Sequence, residues 1–307
     1  MKILPIVQLI ICCFTQHIVY SSTTEIPIPV YNEAVPIETA NSFQYSYVVK
    51  LTVQFEGKDQ PDICTGSLIT RSLVITAGHC VTTEISDGKV LDVEFPPGIT
   101  PRKVKVKKVF GVYRLLPPLE DFTKGKIIDI AFVELKTPIP ICSLKEQHGP
   151  RIIKLPVAQV DNAVWKPVPQ KFSNCTTLGY GKTAPAGLHQ LRKISNTALW
   201  HLNNRFIVPL LFPERQGRTC YGDSGGPTIC NDVHGEPRLY GVTSFASGQL
   251  EGAKWRCHGE TSVYVADILT DVQYLLPKLR QLLLERGKLK EVIEDYHLCS
   301  ENNDTMS

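Results

Sequence analysis

The stretch Gly222-Asp223-Ser224-Gly225-Gly226-Pro227 decides how this sequence is read. A serine that attacks a carbonyl needs a base to take its proton and donors aimed at the oxyanion that forms. Glycines on both sides let the backbone turn tightly and present N–H groups with no side chain in the way. The N–H groups of Gly222 and Ser224 are therefore the candidate oxyanion donors. The same letters satisfy the GxSxG elbow of α/β-hydrolases, in which the serine opens a helix after a strand. Here Pro227-Thr228-Ile229-Cys230 follows, and it reads as a strand.

Two further blocks lie upstream. Thr76-Ala77-Gly78-His79-Cys80 offers a histidine tied down by a neighbouring cysteine, and Asp129 stands at the edge of the apolar run Ile130-Ala131-Phe132-Val133. The order His, Asp, Ser is opposite to the Ser, acid, His order of α/β-hydrolases. With all three blocks in order, the chain resembles the trypsin/chymotrypsin family from about Ala40 to Leu276. The resemblance implies an all-β fold of two packed six-stranded antiparallel β-barrels, chymotrypsin-like, with a C-terminal helix and the site at the barrel junction. It implies that His79 is general base and then acid, that Asp129 holds its tautomer, and that Ser224 is the nucleophile. Ser244 matches the family serine that supports the buried aspartate.

The rest of the chain agrees with an all-β body. Tyr47–Val53, Ser67–Ile69, Leu73–Thr76, Val104–Val109, Ile127–Leu135, Thr176–Gly179 and Leu239–Ser244 are short β-branched runs separated by Gly and Pro turns. Only the end is helical in pattern. Asp267–Leu276 has helical spacing, Pro277 permits a fresh first turn, and an apolar stripe from Leu279 to Tyr296 is interrupted at Gly287. The expected organisation is a signal peptide over 1–21, an N-terminal segment over 22–39 that can serve as a propeptide, a peptidase domain over 40–276 and a helical extension over 277–307.

Compartment follows from the start of the chain and its cysteines. Lys2, the apolar run Ile3–Phe14 and the small polar residues from Ser21 read as a secretory signal, too short to span a bilayer. Ten cysteines become eight once Cys12 and Cys13 leave, an even number suited to an oxidising, extracellular setting. The family pattern implies Cys64–Cys80, Cys175–Cys230 and Cys220–Cys257, which leaves Cys142 to pair with Cys299. No CxxC pair remains among the mature cysteines and no HExxH occurs, so disulfides are favoured over a zinc site, and no metal or cofactor is expected. Asn174 and Asn303 head glycosylation sequons. A net charge of +3 and 43% hydrophobic content give no case for nucleic acid or membrane as partner. A monomer acting on a protein or peptide substrate, and open to a macromolecular protease inhibitor, is the expectation.

The chain departs from the family in two places. Arg218 stands six residues before Ser224, at the family's pocket base, where an acid would select Lys or Arg substrates. A guanidinium there excludes trypsin-like specificity. It either pairs with an acidic substrate side chain or turns toward Glu251, Glu260 or solvent and leaves an apolar or blocked pocket. Ala246 and Ser262 fall at the wall positions. The second departure concerns activation, in which a new N-terminal amine pairs with the acid before the nucleophile, Asp223. No Lys or Arg lies between Lys2 and Lys50, and the best register puts Ala34-Val35-Pro36-Ile37 at the new start. Another protease cuts nearby, a retained segment holds Asp223 differently, or the protein stays zymogen-like. Arg102, Lys103, Lys105, Lys107 and Lys108 alternate with valines as a solvated strand face or a patch for an anionic glycan. The expected function is a secreted serine endopeptidase. The alternative is a protease-like binding or regulatory protein with little turnover.

Overall fold

The computed structural model describes residues 38–83, 86–115, 128–142, 149–169, 175–181, 190–196, 199–202, 205–210, 219–247 and 265–304. After the two-residue β1 (Glu38–Thr39), seven strands build the first sheet: β2 Val48–Gln54, β3 Asp62–Leu68, β4 Leu73–Thr76, β5 Lys89–Glu94, β6 Lys103–Val104, β7 Val106–Leu115 and β8 Ile128–Leu135. Their spatial order is β6-β5-β2-β3-β4-β8-β7. Only Lys105 separates β6 from β7. The one stretch of chain therefore pairs at both ends of the sheet, Lys103 with Glu94 and Leu115 with Ile128, which closes six strands into a barrel. Alternation drives the burial: in β2, Val49, Leu51 and Val53 face the core while Lys50, Thr52 and Gln54 are partly exposed.

The second sheet holds β9 Cys175–Gly179, β10 Arg192–Asn196, β11 Trp200–Leu202, β12 Arg205–Leu210, β13 Pro227–Asn231, β14 Pro237–Ser247 and β15 Val265–Asp271, with β1 added beside β10. The order β1-β10-β9-β13-β14-β15-β12-β11 puts the successive strands β10 and β11 toward opposite ends, the same closure by one stretch of chain. Every strand pair is antiparallel, as the all-β reading requires. Disulfides join Cys64 to Cys80 and Cys175 to Cys230. Cys220 is also disulfide-bonded, and Cys257 lies outside the described residues.

The C-terminal region corrects the sequence expectation. Val265–Asp271 is not the start of a helix but strand β15, paired on one side with β12 and on the other with β14. Two flanking partners outweigh the local helical spacing of these residues. Helix α1 begins at Val272, capped by the Asp271 carboxylate, which accepts the N–H groups of Gln273 and Tyr274. It runs straight through Pro277 to Glu285, so no fresh helix starts there. The break comes instead at Gly287, whose φ of 67° permits a Schellman turn. The Lys288 N–H bonds the Leu283 carbonyl and the Gly287 N–H bonds that of Leu284. Helix α2 (Leu289–Asp304) follows this turn.

Helix α2 docks on the chain's own barrel. The fully buried Asp295 carboxylate accepts the Arg71 backbone N–H and Nε–H, both at 2.7 Å, and also meets its Nη2. Glu291 accepts from Ser72 Oγ at 2.6 Å and from Thr70 Oγ1, and the Tyr296 hydroxyl donates to the Leu155 carbonyl at 3.0 Å. Cys142 and Cys299 form the expected disulfide. Asn303 sits in the last turn of this helix.

Candidate active site

His79 sits in a single 3-10 turn, Gly78–Cys80, immediately after β4. The Cys64–Cys80 bond ties that turn back to β3. Asp129 is the second residue of β8, which lies next to β4 in the first sheet. Strand pairing thus delivers the acid beneath the histidine. The Asp129 carboxylate is fully buried and takes three donors: the His79 N–H at 2.8 Å on Oδ1, His79 Nδ1–H at 2.6 Å on Oδ2, and Ser244 Oγ–H at 2.6 Å on Oδ2. Thr270 of β15 adds contacts 3.3 Å from the Asp129 backbone N and O. The acid therefore belongs to the first barrel by chain and to both by contact. Burial works against its charge, yet the facing His79 and the hydrogen bonds from His79 and Ser244 hold the carboxyl below the ordinary aspartate range. With Nδ1–H committed to Asp129, His79 Nε2 carries the lone pair that can accept a proton.

Ser224 occupies the turn before β13, pinned to the first barrel through its backbone. Its carbonyl accepts the Thr65 N–H at 2.8 Å, and Thr65 Oγ1–H donates to the Gly222 carbonyl at 2.7 Å. Gly225 N–H bonds the Thr243 carbonyl at 2.7 Å, and Thr243 N–H returns to the Gly226 carbonyl at 2.8 Å. These bonds hold the loop in place by three of its carbonyls and the Gly225 N–H. Among the described residues no acceptor meets the N–H of Gly222 or of Ser224, so both donors remain available to a ligand. The Ser224 carbonyl lies 3.5 Å from the Cys80 sulfur, one residue along from His79. No hydrogen bond joins the Ser224 hydroxyl to the His79 ring, a spacing common in unliganded hydrolase sites.

The Asp223 carboxyl is turned inward against Gly179 and Gly181. A methyl carbon at either glycine would lie 2.0 or 2.1 Å from a carboxylate oxygen, so only glycine fits. Asp223 accepts the N–H of Gly181 at 2.7 Å and of Cys220 at 2.8 Å. Burial pushes its carboxyl up to about 7, against the pull of those two N–H donors and with a further push from the charge of Asp267.

Two residues important here were missed in the sequence. Asp267 is buried in β15, directly opposite Ala246 of β14, and accepts the Thr219 N–H at 3.1 Å and Thr219 Oγ1–H at 2.7 Å. An acid amid Val265-Ala266-Asp267-Ile268-Leu269 was the available signal, obscured by reading the stretch as helix. Thr65 left no signal, because its role depends wholly on a contact between the barrels. Arg218, Ser262, Asn174 and the Ala34–Ile37 start lie outside the described residues, as does the side chain of Ala246.

The chain belongs to the trypsin family, whose model matches residues 36–266. It is similar to urokinase-type plasminogen activator of Gallus gallus, 26% identical over 245 residues, which cover 73% of this chain and 54% of that protein. It is similar also to neutrophil elastase of Mus musculus, 26% identical over 60% of this chain and 63% of that protein. Trypsin of Saccharopolyspora erythraea is 25% identical over 76% of the chain and 95% of its own length. The chain thus spans less than two thirds of the first two relatives. In fold it matches the solved structure of HL collagenase with a TM-score of 0.55 at 18% identity, over 80% of this chain and 97% of that one.

Proposed function

We propose that this protein is a secreted serine endopeptidase in which Ser224 attacks the substrate carbonyl. His79 Nε2 takes the Ser224 proton as the bond to carbon forms, and the N–H groups of Gly222 and Ser224 receive the oxyanion. Collapse of the tetrahedral intermediate expels the amine, which leaves with the proton from His79. Water then repeats the sequence on the acyl-enzyme and frees the acid product. Asp129 stays ionised throughout and stabilises the imidazolium. The observation that carries this reading is the fully buried Asp129 carboxylate, with His79 Nδ1 and Ser244 Oγ both 2.6 Å from it. A signal-like start and the disulfides favour secretion.

The pocket reading rests on Arg218, which stands six residues before Ser224 at the family's pocket base. A guanidinium cannot shed its charge, so this side chain disfavours Lys and Arg in the substrate. Cleavage of a peptide library after basic residues would refute it.

The second reading, a protease-like protein without turnover, is favoured by the absence of any Lys or Arg between Lys2 and Lys50 at which a tryptic cut could free an amine for Asp223. A fluorophosphonate probe separates the two. Purified mature protein should be modified at Ser224 and the Ser224→Ala variant should not. Protein that is never labelled, with its N-terminus sequenced to show which segment was retained, refutes the enzyme.

A further inference from the structure

The strand that closes the first barrel carries the densest positive charge among the described residues. Lys103, Lys105 and Lys107 follow one another at period two, so all three point outward while Val104 is buried. A bulge between Val106 and Lys108 then turns Lys108 to the same side. The side chains of Lys103, Lys105 and Lys107 are 59, 71 and 57% exposed, whereas Glu134, which binds Lys107 and Lys108, is only 5% exposed. The cations stand outside and the carboxylates lie beneath them.

Those carboxylates are shared. Glu134 takes Lys107 at 3.0 Å, Lys108 at 3.3 Å and Lys288 at 3.2 Å. Glu94 takes Lys50 at 2.9 Å, Lys103 at 3.8 Å and also Arg102. Among the described residues Asp92 pairs with Lys105 alone, at 2.6 Å, and Glu291 shares Lys288. Seven cations therefore face four carboxylates, a surplus of three, as large as the net charge of +3 of the whole chain. Ammonium groups crowded on one recessed carboxylate repel each other, and their positions are set before any partner arrives. An incoming anion relieves that repulsion without an ordering cost for the long side chains.

We infer that this strip, Arg102 to Lys108, is a docking surface for a linear sulfated glycan. Six residue steps of about 3.3 Å make a track about 20 Å long and one strand wide, the shape of a single extended polyanion. The cations are four lysines, compact point charges, and one arginine, whose planar fork matches two oxygens of a sulfate. Among the described residues the strip has no exposed aromatic ring, since Phe110 is buried beneath Lys108, so it lacks the platforms on which nucleic-acid bases stack. It likewise presents no apolar wedge for a bilayer. The inference does not depend on whether Ser224 is catalytic.

The test uses the full chain as Ser224→Ala, to avoid self-cleavage, with heparin oligosaccharide immobilised on a biosensor. Lys103→Ser, Lys105→Ser and Lys107→Ser are combined. This triple leaves Glu94 with Lys50 and Arg102, and Glu134 with Lys108 and Lys288. A control triple, Lys58→Ser, Lys166→Ser and Lys193→Ser, removes the same charge elsewhere. The strip triple should weaken Kd at least about tenfold and lower the slope of log Kd against log salt by roughly three, while the control changes Kd by less than about threefold. Should the triple fail to fold, Lys105→Ser alone should still weaken Kd by about threefold. Equal losses in the two triples would overturn the inference. So would binding of fully desulfated heparin as tight as that of heparin, or single-stranded DNA or polyglutamate outcompeting heparin at equal charge.

Discussion

Replacing Asp129 by Asn should abolish most of the reactivity of Ser224 while leaving the fold intact. The carboxylate receives three donors and offers none. An asparagine offers one oxygen and one NH2. If the NH2 replaces Oδ1, it faces the His79 backbone N–H across 2.8 Å, and a buried donor is left unmade at a cost of about 1–3 kcal/mol. The other orientation keeps that bond and puts NH2 against His79 Nδ1 and Ser244 Oγ. Ser244 can rotate to accept, but Nδ1 must then lose its proton to Nε2, which can no longer take one from Ser224. A wrong tautomer of this kind is worth about 10⁴ in rate, or about 5.5 kcal/mol. The assay is the rate of fluorophosphonate labelling at Ser224 for both proteins from pH 7 to 10, with urea unfolding in parallel. Labelling should fall about 10⁴-fold at pH 7 and recover in part at high pH, where hydroxide takes the serine proton. Labelling within about tenfold of the parent at pH 7 in a folded variant would refute the role assigned to Asp129.

Other expectations follow from the same structure. Gly181→Ala would put a carbon 2.1 Å from Asp223 Oδ2, so the oxyanion turn must shift. Stability should drop by about 1–3 kcal/mol in urea titration and labelling of Ser224 should slow; an unchanged variant would refute the cradle. Asp223 binds its proton more tightly when folded, near pH 7, than when unfolded, near the ordinary aspartate value. Its contribution to stability therefore falls as pH rises between about 4 and 7, by up to about 1.4 kcal/mol per unit, and the difference between the parent and Asp223→Asn should show that slope. A flat difference would refute it. Removing the disulfide as Cys142→Ser with Cys299→Ser opens a link between residues 157 apart, worth about 5 kcal/mol at most by chain entropy. Because Arg71 and Asp295 still hold helix α2, the measured loss should be smaller, about 2–4 kcal/mol by chemical unfolding, and no loss would refute a stabilising clamp.

Local text was enough for the parts of this protein set by short-range chemistry. The turn Gly222–Pro227, the His79 block and the Asp129 run each carry residue types that only a few backbone shapes and chemistries can use. Short alternating strands such as Val48–Gln54 declared their buried faces directly. The pairs Cys64–Cys80, Cys175–Cys230 and Cys142–Cys299 were legible, the first two from the family pattern and the last because each thiol needs one partner. Tertiary structure alone decided what depends on neighbours distant in the chain. Asp267–Asp271 opens a stretch with helical spacing but becomes the end of strand β15 because β12 and β14 supply backbone partners on both sides. Thr65 supports Ser224 and Gly222 from a different barrel. Asp267 meets Thr219 across 48 residues, and Glu134 gathers Lys107, Lys108 and Lys288 onto one carboxylate. Hydrogen bonds and charges act through space over a few ångströms, so contacts between residues far apart in the chain leave no local pattern to read.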